Sequence, residues 1–343
     1  MRRRNFLALT GAGLATAGLA ACGGSESGGG EGGGGGGGGA TTMRLAFNQT
    51  ENHPQFIAFT AMGERLSERT DGALTIEVYP NETLGAQQEA IQLLQDGSLE
   101  LAMVGGAQME NFSEDYIVFN LPFIFDSQEH QRTVTNDPAI IGDLYASLED
   151  QNISVLAGLH GGVRNVYNSK HPVVTPDDMA GLKIRVQESD THIEMLNLMG
   201  GSATPMAQGE VYTAMQSGVL DGAENNELVF NDLKHVEVGP FYSYTRHLMV
   251  PDYLIANPSV LADMSEEHRA IFEEELAAAV EEEGALWGEK VAEAIEAATA
   301  GGGQFNDDVD AEAFRAILGP FSEESVPDSE TAQALYQATR DAV

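Results

Sequence analysis

Gly181-Leu182-Lys183-Ile184-Arg185-Val186 is the stretch on which the fold turns. Leu182, Ile184 and Val186 alternate with Lys183 and Arg185, the period of a strand with one apolar face. That face belongs to a core, so Arg185 is aimed away from it. Downstream, Asp190 is expected to cap a helix carrying Ile193, Leu196 and Met199 and ended by Gly200-Gly201, and Pro205 precedes a further helix over roughly 209–217. Upstream, strand candidates at 44–47, 74–79 and 99–104 alternate with helix candidates at 54–69 and 87–96. Such alternation is the mark of an α/β fold. Near the other end, Ser265 is a good N-cap, with Glu266 and Glu267 at the positive end of the helix dipole. Phe272, Leu276, Val280, Trp287, Val291 and Ile295 continue as one stripe over some thirty residues. A helix of that length covers about 45 Å, enough to span two lobes. Two lobes are also suggested by an internal echo: Leu94-Gln95-Asp96-Gly97-Ser98-Leu99-Glu100 resembles Met215-Gln216-Ser217-Gly218-Val219-Leu220-Asp221. In both, a helix stops at a glycine and the chain turns toward a strand.

The 343 residues are 42% apolar, ample for a sizeable core and compatible with two domains. Formal charge is -36, with 53 acidic against 17 basic residues. Nucleic acid and anionic membrane surfaces are bound through surplus Lys and Arg, so this balance argues against both. A surface this acidic repels itself in dilute buffer, whereas at 1 M salt the Debye length shrinks to about 3 Å. A salt-loving source, of the halophilic archaeal kind, is therefore expected.

Arg2, Arg3 and Arg4 precede a short apolar run to Ala21, the build of an export signal and too short for the ~20 residues of a membrane span. Arg3-Arg4-Asn5-Phe6-Leu7 resembles a twin-arginine address, and Leu19-Ala20-Ala21-Cys22 resembles a lipobox whose thiol takes a lipid. Cys22 is the single cysteine, so no intramolecular disulfide is available. The Gly- and Ser-rich residues 23–40 have almost nothing to bury and read as a flexible leash reaching about 23 Å.

No nucleophile elbow, phosphate loop, zinc helix or calcium loop occurs, and the eight histidines show no metal-ligand spacing. Neither a metal nor a cofactor is expected, nor an enzyme. Positive charge instead stands out at Arg164, in Gly161-Gly162-Val163-Arg164-Asn165, and at Arg185. A guanidinium beside a cleft presents a planar fork that matches a carboxylate with two parallel bonds. The competing reading is an ion pair with one of the chain's own many acids, and composition leaves the two equally open.

The strand 181–186 is followed by Pro205-Met206, Glu210-Val211-Tyr212, Ala214-Met215-Gln216-Ser217-Gly218 and Leu220-Asp221-Gly222-Ala223-Glu224-Asn225. Together with Tyr79-Pro80, Leu84-Gly85, Leu121-Pro122-Phe123 and Asn168-Ser169-Lys170, this resembles the dicarboxylate-binding family of solute receptors that serve tripartite ATP-independent periplasmic (TRAP) transporters. The resemblance implies a two-lobed periplasmic-binding-protein-like α/β fold with crossing strands and a long helix spanning both lobes. Residues 44–162 plus about 251–290 would form lobe I, and 163–250 plus about 291–343 lobe II, after a signal over 1–21 and a linker over 22–43. It further implies that Arg185 grips a ligand carboxylate, that Asn225 donates to the same ligand and that Arg164 contributes. Asn48, Gln87 and Gln208 should look into the cleft, and Glu188, just past the Arg185 strand, completes the candidate set. Gln208 stands where many members have an aromatic, and Gly105 and Gly106 where sialic-acid binders carry an acid. These departures disfavour sialic acid and favour a smaller or differently hydroxylated acid: a uronate, a keto acid or a dicarboxylate. The implied partners are two integral membrane subunits driven by an ion gradient, with the receptor lipid-anchored on the outer face of the cytoplasmic membrane. The rival readings are a binding protein for an ATP-driven importer and a secreted sugar-acid enzyme.

Overall fold

The computed structural model describes residues 40–342. The expected export signal with Arg3 and Arg4, the lipidation site Cys22 and the glycine linker up to residue 39 lie outside the described residues.

Among the described residues, eleven strands alternate with helices: β1 (Thr41–Ala46), β2 (Leu74–Tyr79), β3 (Leu101–Gly105), β4 (Ser154–His160), β5 (Arg164–Asn168), β6 (Lys183–Val186), β7 (Ser202–Pro205), β8 (Gly222–Asn225), β9 (Phe241–Leu248), β10 (Pro251–Ala256) and β11 (Gln304–Asn306). They form two sheets, of order β2-β1-β3-β10-β4 and β7-β6-β8-β5-β9-β11. In each, three parallel strands (β2-β1-β3, β7-β6-β8) are followed by an antiparallel one (β10, β5). The internal echo falls at equivalent places. Gly97 and Gly218 end helices with φ of +72° and +75°, a conformation that glycine adopts without a steric cost. The acids that follow do the same work: Glu100 accepts the backbone N–H of Arg44 on β1 at 2.9 Å, and Asp221 that of Lys183 on β6 at 3.0 Å.

The helix Pro54–Arg69 begins where Pro supplies the preset φ of a first turn, and His53 caps it by accepting from Gln55 N. It buries Phe59, Met62 and Leu66 on the first sheet, each worth roughly 1.5–3 kcal/mol relative to exposure. At 190–198 the cap is Ser189, which accepts from His192 N at 3.1 Å, so Asp190 is the first helical residue and not the cap. Gln208–Glu210 form a 3-10 turn before the helix Val211–Gln216, a tighter start than one helix over 209–217.

The chain crosses between the lobes four times, the last time through 325–329. The chain passes from β4 to β5 through 161–163 and from β9 to β10 through 249–250, and the helix Glu266–Ala300 runs the length of both. At the strand crossing a Cβ on Gly161 would lie 2.4 Å from the carbonyl oxygen of Val250, so only glycine lets the two connections pass. The long helix buries Phe272, Leu276 and Val280 in the first lobe and Ala298 in the second. Between them Trp287 stacks edge-on against His160 and His53 of the first lobe and packs with Leu228 of the second. The last helix, Glu330–Asp341, departs from the expected partition: Ala332 and Leu335 sit in the first lobe's core with Phe119, Leu144 and Leu148. Its apolar stripe needs a cover, and the exposed flank of the first lobe supplies one.

Candidate functional site

Both sheets turn the carboxyl ends of their parallel strands toward the gap between the lobes, the usual place for a ligand in an α/β sheet. In the second lobe, β5, β8 and β6 are adjacent, which brings Arg164, Asn225 and Arg185 to one edge. The alternation along β6 holds: Ile184 and Val186 are fully buried in the core, and Arg185 faces the other way.

Arg185 is 3% exposed, and its one hydrogen bond among the described residues runs from Nε to the Met206 carbonyl oxygen at 2.8 Å. No carboxylate among the described residues stands within ion-pair distance of it. Burial, then the neighbouring Arg164, press its pKa downward, yet a guanidinium remains protonated. An enclosed cation without a counter-ion is costly, by several kcal/mol, until an anion arrives.

Arg164 is in the opposite situation. Its Nε donates to Oε2 of Glu224 at 2.5 Å, its Nη2 to Oε1 at 2.6 Å and to the Glu224 carbonyl at 2.8 Å. The pair is buried, with Glu224 at 0% exposure. Burial opposes the Glu224 charge, but the Arg164 guanidinium and His247 outweigh it and hold the carboxyl well below the usual range. The remaining Nη1 of Arg164 donates to Oδ1 of Asn225 at 3.3 Å. That oxygen also accepts Asn226 N at 2.9 Å, so the Asn225 amide is oriented and its Nδ2 has no acceptor among the described residues. Arg164 thus reaches the gap through the Asn225 amide that it helps to orient.

The other expected residues lie around the same gap. Gln208, 6% exposed, reaches across it and donates to Oε1 of Gln49 at 2.8 Å. Gln87 opens the helix Gln87–Gln95 and accepts Gly105 N at 2.6 Å, leaving its Nε2 available. Asn48 is half-buried just beyond β1. Glu188 is also half-buried; its backbone oxygen accepts Asn111 Nδ2 of the first lobe at 3.3 Å, and its carboxylate adds negative potential at Arg185. The gap is bridged again where Glu82 accepts Gly209 N at 3.2 Å; burial raises the Glu82 pKa, against the pull of that N–H and of Arg185.

Two participants were not anticipated. Glu224 stands inside a fully buried strand, Gly222–Asn225, and an acid in such a strand must have a cation beside it. Asp252 is the single charged residue of the apolar run 249–256, and its Oδ2 accepts Gln55 Nε2 at 2.9 Å. Burial lifts the Asp252 pKa to about 6, opposed by the Gln55 bond and by Arg164. His53, His160, His192 and His235 are packing residues, and burial lowers each to about 3. No cluster of His, Cys, Asp or Glu suited to a metal occurs among the described residues, and none of their helices is long and apolar enough to cross a membrane.

The gap of this two-lobed α/β body thus holds a buried arginine with no carboxylate partner among the described residues. Residues 45–327 match the family described as bacterial extracellular solute-binding protein, family 7, and the chain belongs to that family. It is 35% identical over 292 residues to a solute-binding protein of Chromohalobacter salexigens, covering 85% of this chain and 86% of that one. Among solved structures, a TRAP periplasmic solute-binding protein of Anaerococcus prevotii with bound D-glucuronate superposes with a TM-score of 0.84 at 37% identity, over 88% of this chain and 98% of that one. A Bradyrhizobium TRAP protein in complex with D-galacturonate gives 0.83 at 30% identity, over 88% and 100%. The chain is accordingly a solute-binding protein of the TRAP class, and its relatives are binding proteins that hold their ligands.

Proposed function

We propose that this receptor captures a hexuronate, of the D-glucuronate or D-galacturonate type, by closing its two lobes on a sugar acid whose carboxylate pairs with Arg185. The observation that carries this reading is the enclosed Arg185 guanidinium with no carboxylate among the described residues to neutralise it. A ligand carboxylate would take the two Nη groups and the Asn225 Nδ2, charge-assisted bonds worth ~1.5–3 kcal/mol each. Glucuronate and galacturonate in structurally similar relatives support the choice among organic acids. Ligand binding would shift the population toward the closed form by as much as the two forms differ in affinity. The closed receptor would then be read by two integral membrane subunits. The protein binds and does not turn over its ligand.

The N-terminal residues support a twin-arginine lipoprotein, tethered through Cys22 to the outer face of the membrane. One lipid chain pair or a second contact is needed for stable anchoring. The charge of -36 supports a protein adapted to high salt, and its melting temperature should be higher in 2 M KCl than in 0.1 M.

A thermal-shift screen of organic acids in molar KCl tests the reading. A uronate at 100 times its dissociation constant should add about 2.7 kcal/mol of stability. Arg185→Ala should abolish that shift; a variant stabilised as fully as the parent would overturn the assignment.

A further inference from the structure

The arginine end of the gap accounts for one end of a ligand only. The first lobe meets the second across the gap where β3 finishes and β10 begins, with Gly105 paired to Asp252. A Cβ on Gly105 would lie 2.7 Å from Nε2 of Gln187, 3.5 Å from Oδ1 of Asp252 and 3.6 Å from Oε1 of Gln87. Three polar side chains therefore converge over a residue that has none. Gln187 comes from the second lobe, two residues beyond Arg185, and alternate residues of an extended segment share a side. This polar floor thus continues the surface that Arg185 faces.

Each of the three leaves an atom without a partner among the described residues. Gln87 binds Gly105 N through Oε1 and keeps its Nε2. Asp252 binds Gln55 through Oδ2 and keeps its Oδ1. Gln187, only 7% exposed, has no partner on its Oε1. Asp252 lies deep within the protein mass yet retains accessible surface, as a cleft-lining group does.

Building on the uronate reading, we propose that Asp252 selects the uncharged, hydroxyl-bearing end of the ligand and excludes acids that carry a second carboxylate there. A carboxylate accepts hydrogen bonds from hydroxyls and has nothing to donate to another carboxylate. Two like charges facing each other in a closed, dehydrated gap repel strongly. Arg164, the cation that Asp252 feels, is already matched by Glu224 and does not relieve that repulsion. The amides of Gln87 and Gln187 can serve hydroxyl groups in either direction. Gly105, having no side chain, lets the Gln187 amide come close to the end of β3.

Calorimetry at pH 8 in molar KCl, with D-glucuronate and D-glucarate as probes, tests this. Glucarate is the same carbon chain with its aldehyde end oxidised to a second carboxylate. The parent protein should bind glucuronate about 30-fold tighter or more. Asp252→Asn should narrow the ratio to about fivefold or less, through a gain for glucarate. On the unmodified protein, the glucarate monomethyl ester that masks the distal carboxylate should regain about tenfold or more, a readout independent of how the variant folds. Full discrimination persisting in Asp252→Asn with glucuronate binding intact, or an ester that binds no better than glucarate, overturns the role of Asp252 and leaves the uronate reading standing. Failure of the parent protein to bind glucuronate overturns both.

Discussion

Arg164 and Arg185 stand on neighbouring parts of one sheet, both at 5% exposure or less, and they have opposite electrostatic lives. Arg164 is matched fork to fork by Glu224 from the adjacent strand; Arg185 hydrogen-bonds, among the described residues, to a single backbone carbonyl. Burial alone therefore says nothing about whether an arginine is structural or functional. What decides is whether the fold provides the counter-charge. Where it does, the pair orients Asn225 and stiffens the sheet edge. Where it does not, the cost of an enclosed cation is offset only when a ligand brings the missing anion.

Removing the counter-charge from the matched site should have the largest effect. Glu224→Ala strands Arg164 in the interior and should destabilise the unliganded protein by about 3–5 kcal/mol, read from denaturant unfolding. Arg185→Ala removes an uncompensated charge instead. It should cost about 2–5 kcal/mol of uronate affinity, while the unliganded protein unfolds at the same denaturant concentration or a higher one. Asn225→Ala, which takes away one ligand donor and one acceptor of Arg164, should weaken uronate binding by about 1 kcal/mol in a titration.

The smallest effect separates the two acids of the site by pH. Asp252 has a folded pKa of about 6 against 3.8 unfolded, so the folded state holds its proton longer. Its contribution makes stability fall as pH rises from about 4 to about 6 and stay level above. Glu283, which burial also raises, slopes the same way. Glu224, held low, acts in reverse: its stabilisation is complete above about 4.5 and is lost as pH falls below that. Asp252→Asn should flatten part of the slope between pH 4 and 6 in a pH series of chemical melts and leave the acid-side loss in place.

The local elements were legible where a cap or a period stands next to the residues it governs. Pro54 at a helix start, Ser265 before Glu266 and the alternation 182–186 are of this kind. The direction of Arg185 followed from that alternation alone, because a strand sends neighbours to opposite sides. Partners drawn from distant strands were not legible. Glu224 reaches Arg164 only because β5 pairs with β8, sixty residues apart in sequence, and nothing in the pattern singles it out among 53 acids. Asp252 becomes a site residue through its pairing with Gly105, again a product of sheet order. Which lobe the last helix covers depended on the surface left open by the first lobe, which no local pattern announces.

The most direct test replaces the ligand's charge and leaves the protein untouched. Titration calorimetry should compare D-glucuronate with D-glucuronamide, in which the carboxylate becomes a neutral amide of nearly the same shape. If Arg185 awaits an anion, the amide should bind about 100-fold more weakly or not at all. Equal affinity for the two would mean that the guanidinium has no need of the ligand's charge, and the account would fail.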